Sequence, residues 1–431
     1  MEQERIRQRL VSCRRDIHRY PECNWLTFRT SILLAEQLER AGYMVYIGEE
    51  IVPAARVIDP PTTEEVKKAK ERCRAELYSC EAEALWEKWE SRMGCLGGVI
   101  AVYDSGRPGP VVACRFDTDA LKLTESTDAA RVPVQQGFLS CHEGSFHGCG
   151  HDGHTAVGLV SAERLMEESE ALNGTLIFIF QPAEEGVRGA RSYCENWQFG
   201  PVDVFLSGHI GFTGPDTFVA GAQQFLATTE TDGEFIGVSA HAGAHPERGK
   251  NALLALAKAV VRMQDIPKPQ EGTVRLNVGV MQAGEARNTI PAHAGFQMET
   301  RGSDDEKKDY MQSEAERILN ECAKEYGVEL RLKIKRGGEC ADSDESLSKR
   351  ILSIVEECGL YEHCVLHQAF GASEDATSFM RMVQESGGQA AYMLFGCPES
   401  GQHHEDGFDF DETVLEKSCE IWIRVVRDVL K

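Results

Sequence analysis

A cysteine and three histidines are concentrated in one short, glycine-rich segment. The segment HGCGHDGH covers residues 147–154 and places Cys149 two residues before His151. A thiolate and an imidazole at this spacing can face one cavity, because the glycines leave the backbone free to turn between them. The segment therefore predicts a metal site. The alternative interpretations are a structural zinc site completed by Cys141 or His142, or simple helix capping.

Two adjacent carboxylates follow a strongly apolar run. In QPAEEG, residues 181–186, Glu184 and Glu185 come shortly after LIFIF. One carboxylate of such a pair can bind a metal while its neighbour stays free as a general base. A solvated turn would also explain the pair.

Three later histidines complete the candidate set. His209 ends the run VDVFLSGHI, and His403 and His404 follow GCPESGQ. Taken singly, they could be core or loop histidines. Together with the residues above they exceed the ligands that one tetrahedral zinc needs, which favours two metal ions that share a bridging group, and the thiolate of Cys149 is a natural bridge.

Such a site suits the hydrolysis of an amide bond. Two metal ions lower the pKa of a shared water and polarise a carbonyl, and a nearby carboxylate passes a proton to the leaving amine. The chain has no Gly-x-Ser-x-Gly elbow and no phosphate-binding Walker loop. The residues therefore favour a metal-dependent amidohydrolase.

A buried sheet is expected to position these residues. From residue 97 onwards the apolar runs GGVIAVYDS, GPVVACRFD, GTLIFIFQP and VDVFLSGHI alternate with a helix expected at about 154–172. This alternation is typical of an α/β fold with a central mixed sheet covered by helices. Ligands gather at the carboxyl ends of such strands, and Asp117, Asp119 and the later candidates follow the strands there.

Helices are expected before the sheet. An amphipathic helix opens the chain, and a second, at roughly 30–41, is stopped by Gly42 before the strand YMVYI. The charged stretch 60–92 begins with a Thr62/Glu65 capping box and predicts one long helix. Its tryptophans, Trp86 and Trp89, are expected to pack on a neighbouring element.

A second domain interrupts the first in sequence. Between about residues 223 and 338 the predicted order is β-α-β-β-α-β, which is typical of a ferredoxin-like module. We interpret it as an inserted second domain of α+β type, with the catalytic domain formed by residues 1–222 and 339–431.

Composition limits the functional classes. The 431 residues carry 46 basic and 69 acidic side chains, and the net charge of −23 argues against nucleic acid and anionic membranes as partners. It also requires that a carboxylate-bearing substrate meet local positive groups or metal. The 15 scattered cysteines predict a reducing compartment, and the charged N-terminus lacks the apolar run of a signal peptide, so a cytoplasmic location is expected.

Seven motifs in order resemble the dimetal aminoacylase and carboxypeptidase-like amidohydrolases, in the branch of hippurate hydrolase and plant auxin-conjugate hydrolases. They are RFDTDAL, HGCGHDGH, IFQPAEEGVRGA, SAHAGAHPERGKNALLA, QAGEARNTIPA, GASEDAT and HHEDGFDFDE. The resemblance covers nearly the whole chain. The chain departs from the usual family motifs at two places. It has Gly148 where the family has alanine, and Gly-Ala-Ser-Glu-Asp where the family has Gly-Ser-Glu-Asp, and neither change affects a proposed ligand.

The resemblance implies a role for each candidate residue. The implied metal ligands are Cys149 as the bridge, His151, Glu185, His209 and His404. Glu184 resembles the general base, and Asp119 resembles a carboxylate that orients a ligand. His404 is chosen over His403 because Phe408 follows it by four residues, as in the family motif.

Three further residues lie in the inserted domain, which the resemblance implies is a lid and dimerisation domain. His241 resembles a histidine that reaches into the active site, often that of a partner subunit, and stabilises the tetrahedral oxyanion. Asn288 and Arg301 lie in segments that line the substrate carboxylate or the oxyanion in the family. A solvated surface role would also explain Arg301.

The family implies a function, cofactors and partners. The expected reaction is hydrolysis of an N-acyl or N-aroyl amino acid, first of all p-aminobenzoyl-glutamate, with two manganese or zinc ions. A homodimer or a heteromer with a related chain is expected. The alternatives are a dipeptidase or general aminoacylase on the same scaffold, and a metal-stabilised subunit that is active only with a sibling chain.

Overall fold

The computed structural model describes residues 2–77 and 82–431, although the side chains of residues 335 and 336 fall outside that description. The α-helices are α1 (Glu2–Arg19), α2 (Phe28–Ala41), α3 (Thr63–Glu76), α4 (Ala82–Met93), α5 (Val132–Gln135), α6 (His151–Met166), α7 (Gly189–Glu195), α8 (Ala252–Met263), α9 (Asp305–Tyr326), α10 (Glu345–Cys358), α11 (Thr377–Glu385) and α12 (Thr413–Leu430). None of the described helices is both long enough and apolar enough to span a membrane.

The strands fall into three sheets. They are β1 (Met44–Ile47), β2 (Val99–Asp104), β3 (Val111–Asp117), β4 (Thr175–Gln181), β5 (Val204–Ile210), β6 (Thr217–Gln223), β7 (Ala227–Ile236), β8 (Val274–Ala283), β9 (His293–Gly302), β10 (Glu329–Gly338), β11 (His363–Ala369), β12 (Gln389–Phe395), β13 (Glu399–Ser400) and β14 (Asp409–Phe410). The last two form a small hairpin of their own.

The chain divides into two compact units. The first contains Met1–Gln223, Ala341–Phe370 and Asp375–Lys431, and the second contains Gln224–Cys340 and Gly371–Glu374.

The first unit is built on an eight-stranded mixed sheet with the order β1-β2-β4-β3-β5-β12-β6-β11. The strands β4, β3, β5 and β12 run parallel, whereas β1, β2 and β6 each pair antiparallel with a neighbour. Helix α6 is buried along most of its length and contacts β3, α1 and α12. The predicted central mixed sheet covered by helices is confirmed.

The parallel strands bring distant residues to one edge of this sheet. Asp117 at the end of β3 pairs with Gln181 at the end of β4, and β5 ends beside them with His209 and Ile210. Their near-continuous apolar sequences follow from burial on both faces, as parallel strands require. The segments that follow these strands therefore start from the same edge.

The second unit is a four-stranded antiparallel sheet with the order β10-β7-β9-β8, packed against α8 and α9. The element order β7-α8-β8-β9-α9-β10 with this strand order is that of a ferredoxin-like module. The predicted α+β architecture of the inserted segment is confirmed.

The prediction of one long helix over 60–92 is wrong. Helix α3 ends at Glu76, where Leu77 takes up an extended backbone with ψ 104°, and residues 78–81 lie outside the described chain. Helix α4 runs back beside α3, as shown by the ion pair between Lys70 on α3 and Glu90 on α4 at 2.6 Å. A straight helix of that length would be about 50 Å long and could not bury both of its apolar segments in one core. Trp89 is fully buried, which confirms its predicted packing role.

Candidate metal centre

The glycine-rich segment is a tight turn that leads into α6. Cys149 lies on the turn, and His151 is the first residue of the helix rather than part of the loop before it. Between them Gly150 has φ +89°, a conformation that strains any residue with a side chain. A Cβ on Gly153 would come within 2.7 Å of the Phe410 ring. The glycines thus serve backbone conformation and close packing.

The carboxylate pair lies on a strained turn after β4. Ala183 and Val187, on either side of the pair, have φ of +60° and +55°, which costs about 1–2 kcal/mol per residue. The Asp119 carboxylate holds the turn, since it accepts the backbone amide of Glu184 at 2.9 Å and that of Glu185 at 3.2 Å. Burial raises the pKa of Asp119 to about 8.

His151 presents one ring nitrogen to these carboxylates. Its Nδ1 lies 2.8 Å from the backbone carbonyl oxygen of Asp119, which only accepts, so Nδ1 carries the proton. Its Nε2 is buried without a hydrogen-bond partner among the described residues, and lies 4.0 Å from a carboxylate oxygen of both Glu184 and Glu185. Burial lowers the pKa of His151 to about 3. A neutral imidazole therefore directs its lone pair into the site.

His209 is oriented in the same way. Its Nδ1 donates to the carbonyl oxygen of Ile210 at 2.6 Å, and its Nε2 lies 3.6 Å from Sγ of Cys149. Burial holds the pKa of His209 well below its usual range. Two imidazoles with fixed tautomers thus flank one thiol, which is the orientation that metal-binding histidines commonly have.

The two consecutive histidines in the loop between β13 and β14 have different surroundings. Nε2 of His404 lies 3.6 Å from a carboxylate oxygen of Glu185. The ring of His403 instead packs between two aromatic rings, with centroid distances of 4.3 Å to Phe212 and 4.5 Å to Phe408. The geometry therefore brings His404, and not His403, beside the carboxylate pair.

The five predicted ligands come together in two groups. In each group the ligand atoms lie within 4.8 Å of one another, about the spread that one ion with bonds of roughly 2.0–2.3 Å can span. The first group is Cys149, His151 and His209, and the second is Cys149, Glu185 and His404. The thiol belongs to both.

Cys141 and His142 were the candidates to complete a structural zinc site with Cys149. In the structure they lie instead beside Glu76. His142 donates to the carbonyl oxygen of Pro21 and lies 2.7 Å from the Glu76 carboxylate. A zinc site built from Cys149 with these two residues is therefore not what the fold forms.

One histidine of the glycine-rich segment, His154, had no predicted role but positions the end of a strand. His154 donates from Nδ1 to Asp117 at 2.6 Å, and its Nε2 accepts the backbone amide of Ile210 at 2.9 Å. Since both ring nitrogens are engaged, His154 fixes the end of β5 rather than offering a ligand. Its spacing of three residues from His151 on a helix was the available signal.

A buried arginine links the ends of β3 and β4. Arg115 is fully buried and donates to Asp117 at 2.8 Å, Gln181 at 2.9 Å and Asp375 at 2.6 Å. A buried charge requires such partners. An arginine within an apolar strand was the sequence signal for this network.

The three remaining predicted residues belong to the second unit. His241 is exposed, and its Nδ1 accepts the amides of Gly243 at 3.2 Å and Ala244 at 3.1 Å. Its neighbour in sequence, Ala242, donates to the carbonyl oxygen of Asn288 at 2.9 Å, so these two segments run side by side. Arg301 lies on β9 and forms an ion pair with Glu299 at 2.9 Å.

Comparison with known proteins gives strong matches along nearly the whole chain. Residues 113–428 match the model of Peptidase family M20/M25/M40. The chain is 40% identical to one subunit of the p-aminobenzoyl-glutamate hydrolase of Escherichia coli (strain K12), over 96% of this chain and 94% of that protein. It is 39% identical to indole-3-acetyl-aspartic acid hydrolase of Enterobacter agglomerans, over 97% and 95%.

A solved structure is similar as well. The aminobenzoyl-glutamate utilization protein from Klebsiella pneumoniae has 33% identity and a TM-score of 0.82, covering 99% of this chain and 98% of that one. The predicted family and the predicted class of hydrolase acting on amide bonds are confirmed. The chain belongs to Peptidase family M20/M25/M40.

Proposed function

We propose that this chain hydrolyses the amide bond of N-acyl or N-aroyl amino acids, with p-aminobenzoyl-glutamate as the first substrate and p-aminobenzoate and glutamate as products. The observation that carries the proposal is the pair of ligand groups that share Cys149 beside the carboxylate of Glu184. The names of the Escherichia coli and Enterobacter relatives, both of which refer to conjugates of an aromatic acid with an acidic amino acid, support the substrate class.

The ligand set fits two divalent ions, manganese or zinc. Cys149 would bridge them, and His151, Glu185, His209 and His404 would complete the set. The fit rests on the buried Nε2 of His151, which has no hydrogen-bond partner among the described residues. Bound divalent ions supply Lewis acidity for the scissile carbonyl and for a nucleophilic water.

Glu184 is the general base of the proposal. It takes a proton from the attacking water and returns it to the nitrogen of the leaving amino acid. Its side chain is 11% exposed, and its backbone amide is tied to Asp119. Asp119 thus acts as a positioning residue for both carboxylates, because it fixes the strained turn from which they project.

His241 is the proposed oxyanion donor. Because its Nδ1 accepts two backbone amides, the proton of the neutral ring lies on Nε2, which leaves an N–H free to donate. Such a donor stabilises the negative charge of a tetrahedral intermediate. Asn288 and Arg301 are proposed to bind the substrate, and the second unit is proposed to act as a lid and dimerisation domain.

An assembly with a related chain is a second possibility with its own support. The name of the Escherichia coli relative describes it as one subunit of a hydrolase. This name favours a heteromer, in which a sibling chain contributes to activity, as an alternative to a homodimer.

A cytoplasmic location is also part of the proposal. Its support is the sequence, in which the 15 cysteines are scattered without the spacing of a small disulfide scaffold.

The proposal is tested by turnover of the purified chain alone. The chain is stripped of metal with a chelator, reloaded with manganese or zinc, and incubated with p-aminobenzoyl-glutamate. Release of p-aminobenzoate and glutamate in equal amounts, only after reloading, is expected. No release from the metal-loaded chain, but release on addition of a related chain, would favour the heteromer.

A further inference from the structure

A cavity of about 530 Å³ in the first unit has more positive than negative side chains in its wall. Its charged lining residues are Lys68, Arg72, Lys122, Arg188, Asp59 and Glu65. Four basic and two acidic groups leave an excess of two positive charges, in a chain whose net charge is −23. The cavity is therefore a local site for an anion on an otherwise acidic protein.

Two of these cations have no hydrogen bond or ion pair among the described residues. Arg188 pairs with Asp59 at 3.0 Å, and Lys68 lies 3.3 Å from Glu64. Arg72, which is partly buried, and Lys122 form no ion pair or hydrogen bond within residues 2–77 and 82–431. The carboxylates of Glu22 and Glu65 act on Arg72 and Lys122 only through space. An anion in the cavity would therefore meet N–H donors that have no hydrogen-bond partner among the described residues.

The same segments form the cavity wall and the candidate metal centre. Lys122 comes three residues after Asp119, and Arg188 comes three residues after Glu185, so each pair of Cα atoms is at most about 11 Å apart. Arg188 also donates to the backbone carbonyl oxygen of Glu185 at 3.2 Å. A substrate that extends from the centre by a few bonds could therefore reach the cavity.

We propose that this cavity binds the side-chain carboxylate of the substrate's amino acid, and that Arg72 and Lys122 determine specificity for an acidic amino acid. The inference rests on the proposed amide hydrolysis. A guanidinium can bind a carboxylate through two parallel hydrogen bonds, and an ammonium adds a third charge-assisted donor. The arrangement also supplies the local positive groups that an anionic substrate requires on a protein of this charge.

The test compares two substrates that differ only in that carboxylate. In p-aminobenzoyl-glutamine a neutral amide of nearly the same shape replaces it. The wild type should have the higher kcat/KM for the glutamate substrate. Arg72→Gln and Lys122→Gln should each lower that kcat/KM about 10-fold or more and leave the glutamine substrate within about 2-fold, as expected for loss of a charge-assisted hydrogen bond.

Matched controls lie on helix α3, which carries Arg72, but outside the cavity wall. Arg74→Gln removes an arginine that pairs with Glu83, and Lys67→Gln removes an exposed lysine. Neither should change the preference. A variant that loses activity equally on both substrates, or a wild type without preference, would overturn the role of the cavity and leave the proposed hydrolysis intact.

Failure of the hydrolysis itself is distinguishable. If the metal-loaded wild type cleaves neither substrate, calorimetric binding of glutarate to the wild type and to Arg72→Gln tests the cavity directly. Binding about 10-fold tighter to the wild type supports an anion site. Equal binding overturns it.

Discussion

Sγ of Cys149 lies 3.6 Å from Nε2 of His209, although sixty residues separate them in sequence. The first precedes α6, and the second lies near the end of β5, so the contact joins two segments at one edge of the sheet. The same thiol is grouped with Glu185 and His404. Loss of this one side chain should therefore affect both proposed metal ions.

Replacing the shared thiol should release metal. In Cys149→Ser the hydroxyl stays protonated where a thiolate would bind, so both ligand groups lose their common member. We expect loss of most of the bound metal, measured by elemental analysis after dialysis, together with loss of turnover. The control is Cys141→Ser, which changes a cysteine of the group with Glu76 and should keep full metal content. Full metal occupancy in Cys149→Ser would remove the bridging role.

Replacing the proposed base should separate metal binding from catalysis. Glu184→Gln keeps the size of the side chain and the backbone hydrogen bond to Asp119, but an amide cannot accept a proton from water. We expect normal metal content and a loss of kcat of about 10²-fold or more. The neighbouring Glu185→Gln is the comparison, because it should lose metal instead. Retained activity in Glu184→Gln would exclude Glu184 from proton transfer.

The two consecutive histidines should respond differently to substitution. His404→Ala should lower metal content, because its Nε2 lies beside Glu185, while its half-exposed side chain contributes little packing. His403→Ala should instead lower the free energy of unfolding of the metal-free protein by about 1 kcal/mol or more, through loss of its aromatic contacts. Metal analysis and urea unfolding distinguish them. The reverse pattern would assign the ligand to His403.

The histidine of the second unit should act on kcat. His241→Ala removes the proposed oxyanion donor and should lower kcat by about 10²-fold with metal content unchanged. His245→Ala, at a nearby exposed histidine, is the matched control and should retain activity. A change confined to KM would reassign His241 to substrate binding.

Part of the fold could be predicted because burial leaves a strong pattern. The parallel strands β3, β4 and β5 are nearly continuous apolar runs, and the strand order of the second unit follows from its element order. Strands β6 and β11 were not predicted. The sequence TFVAGAQ of β6 is rich in small residues, and HCVLHQA of β11 lies at the sheet edge, where none of its seven residues is buried. The end of α3 at Glu76 was missed because no glycine or proline adjoins Leu77 in the sequence to signal it.

The site could be predicted only for residues that carry their own chemistry. Cysteine, histidine and paired carboxylates are recognisable by type and spacing. The ion pair of Arg115 with Asp375 joins residues 260 positions apart and exists only once the sheet has formed. The choice of His404 over His403 came from the family motif and not from the residue types. Its physical basis is visible only in the fold, where the ring of His403 packs against Phe212 and His404 lies beside Glu185.

The most direct test measures amide cleavage by the purified, metal-loaded chain on three substrates in parallel. They are p-aminobenzoyl-glutamate, hippurate and an aliphatic N-acetyl amino acid. The account predicts the highest kcat/KM for p-aminobenzoyl-glutamate, with release of p-aminobenzoate. No cleavage of any of the three, with two metal ions bound per chain, would contradict it.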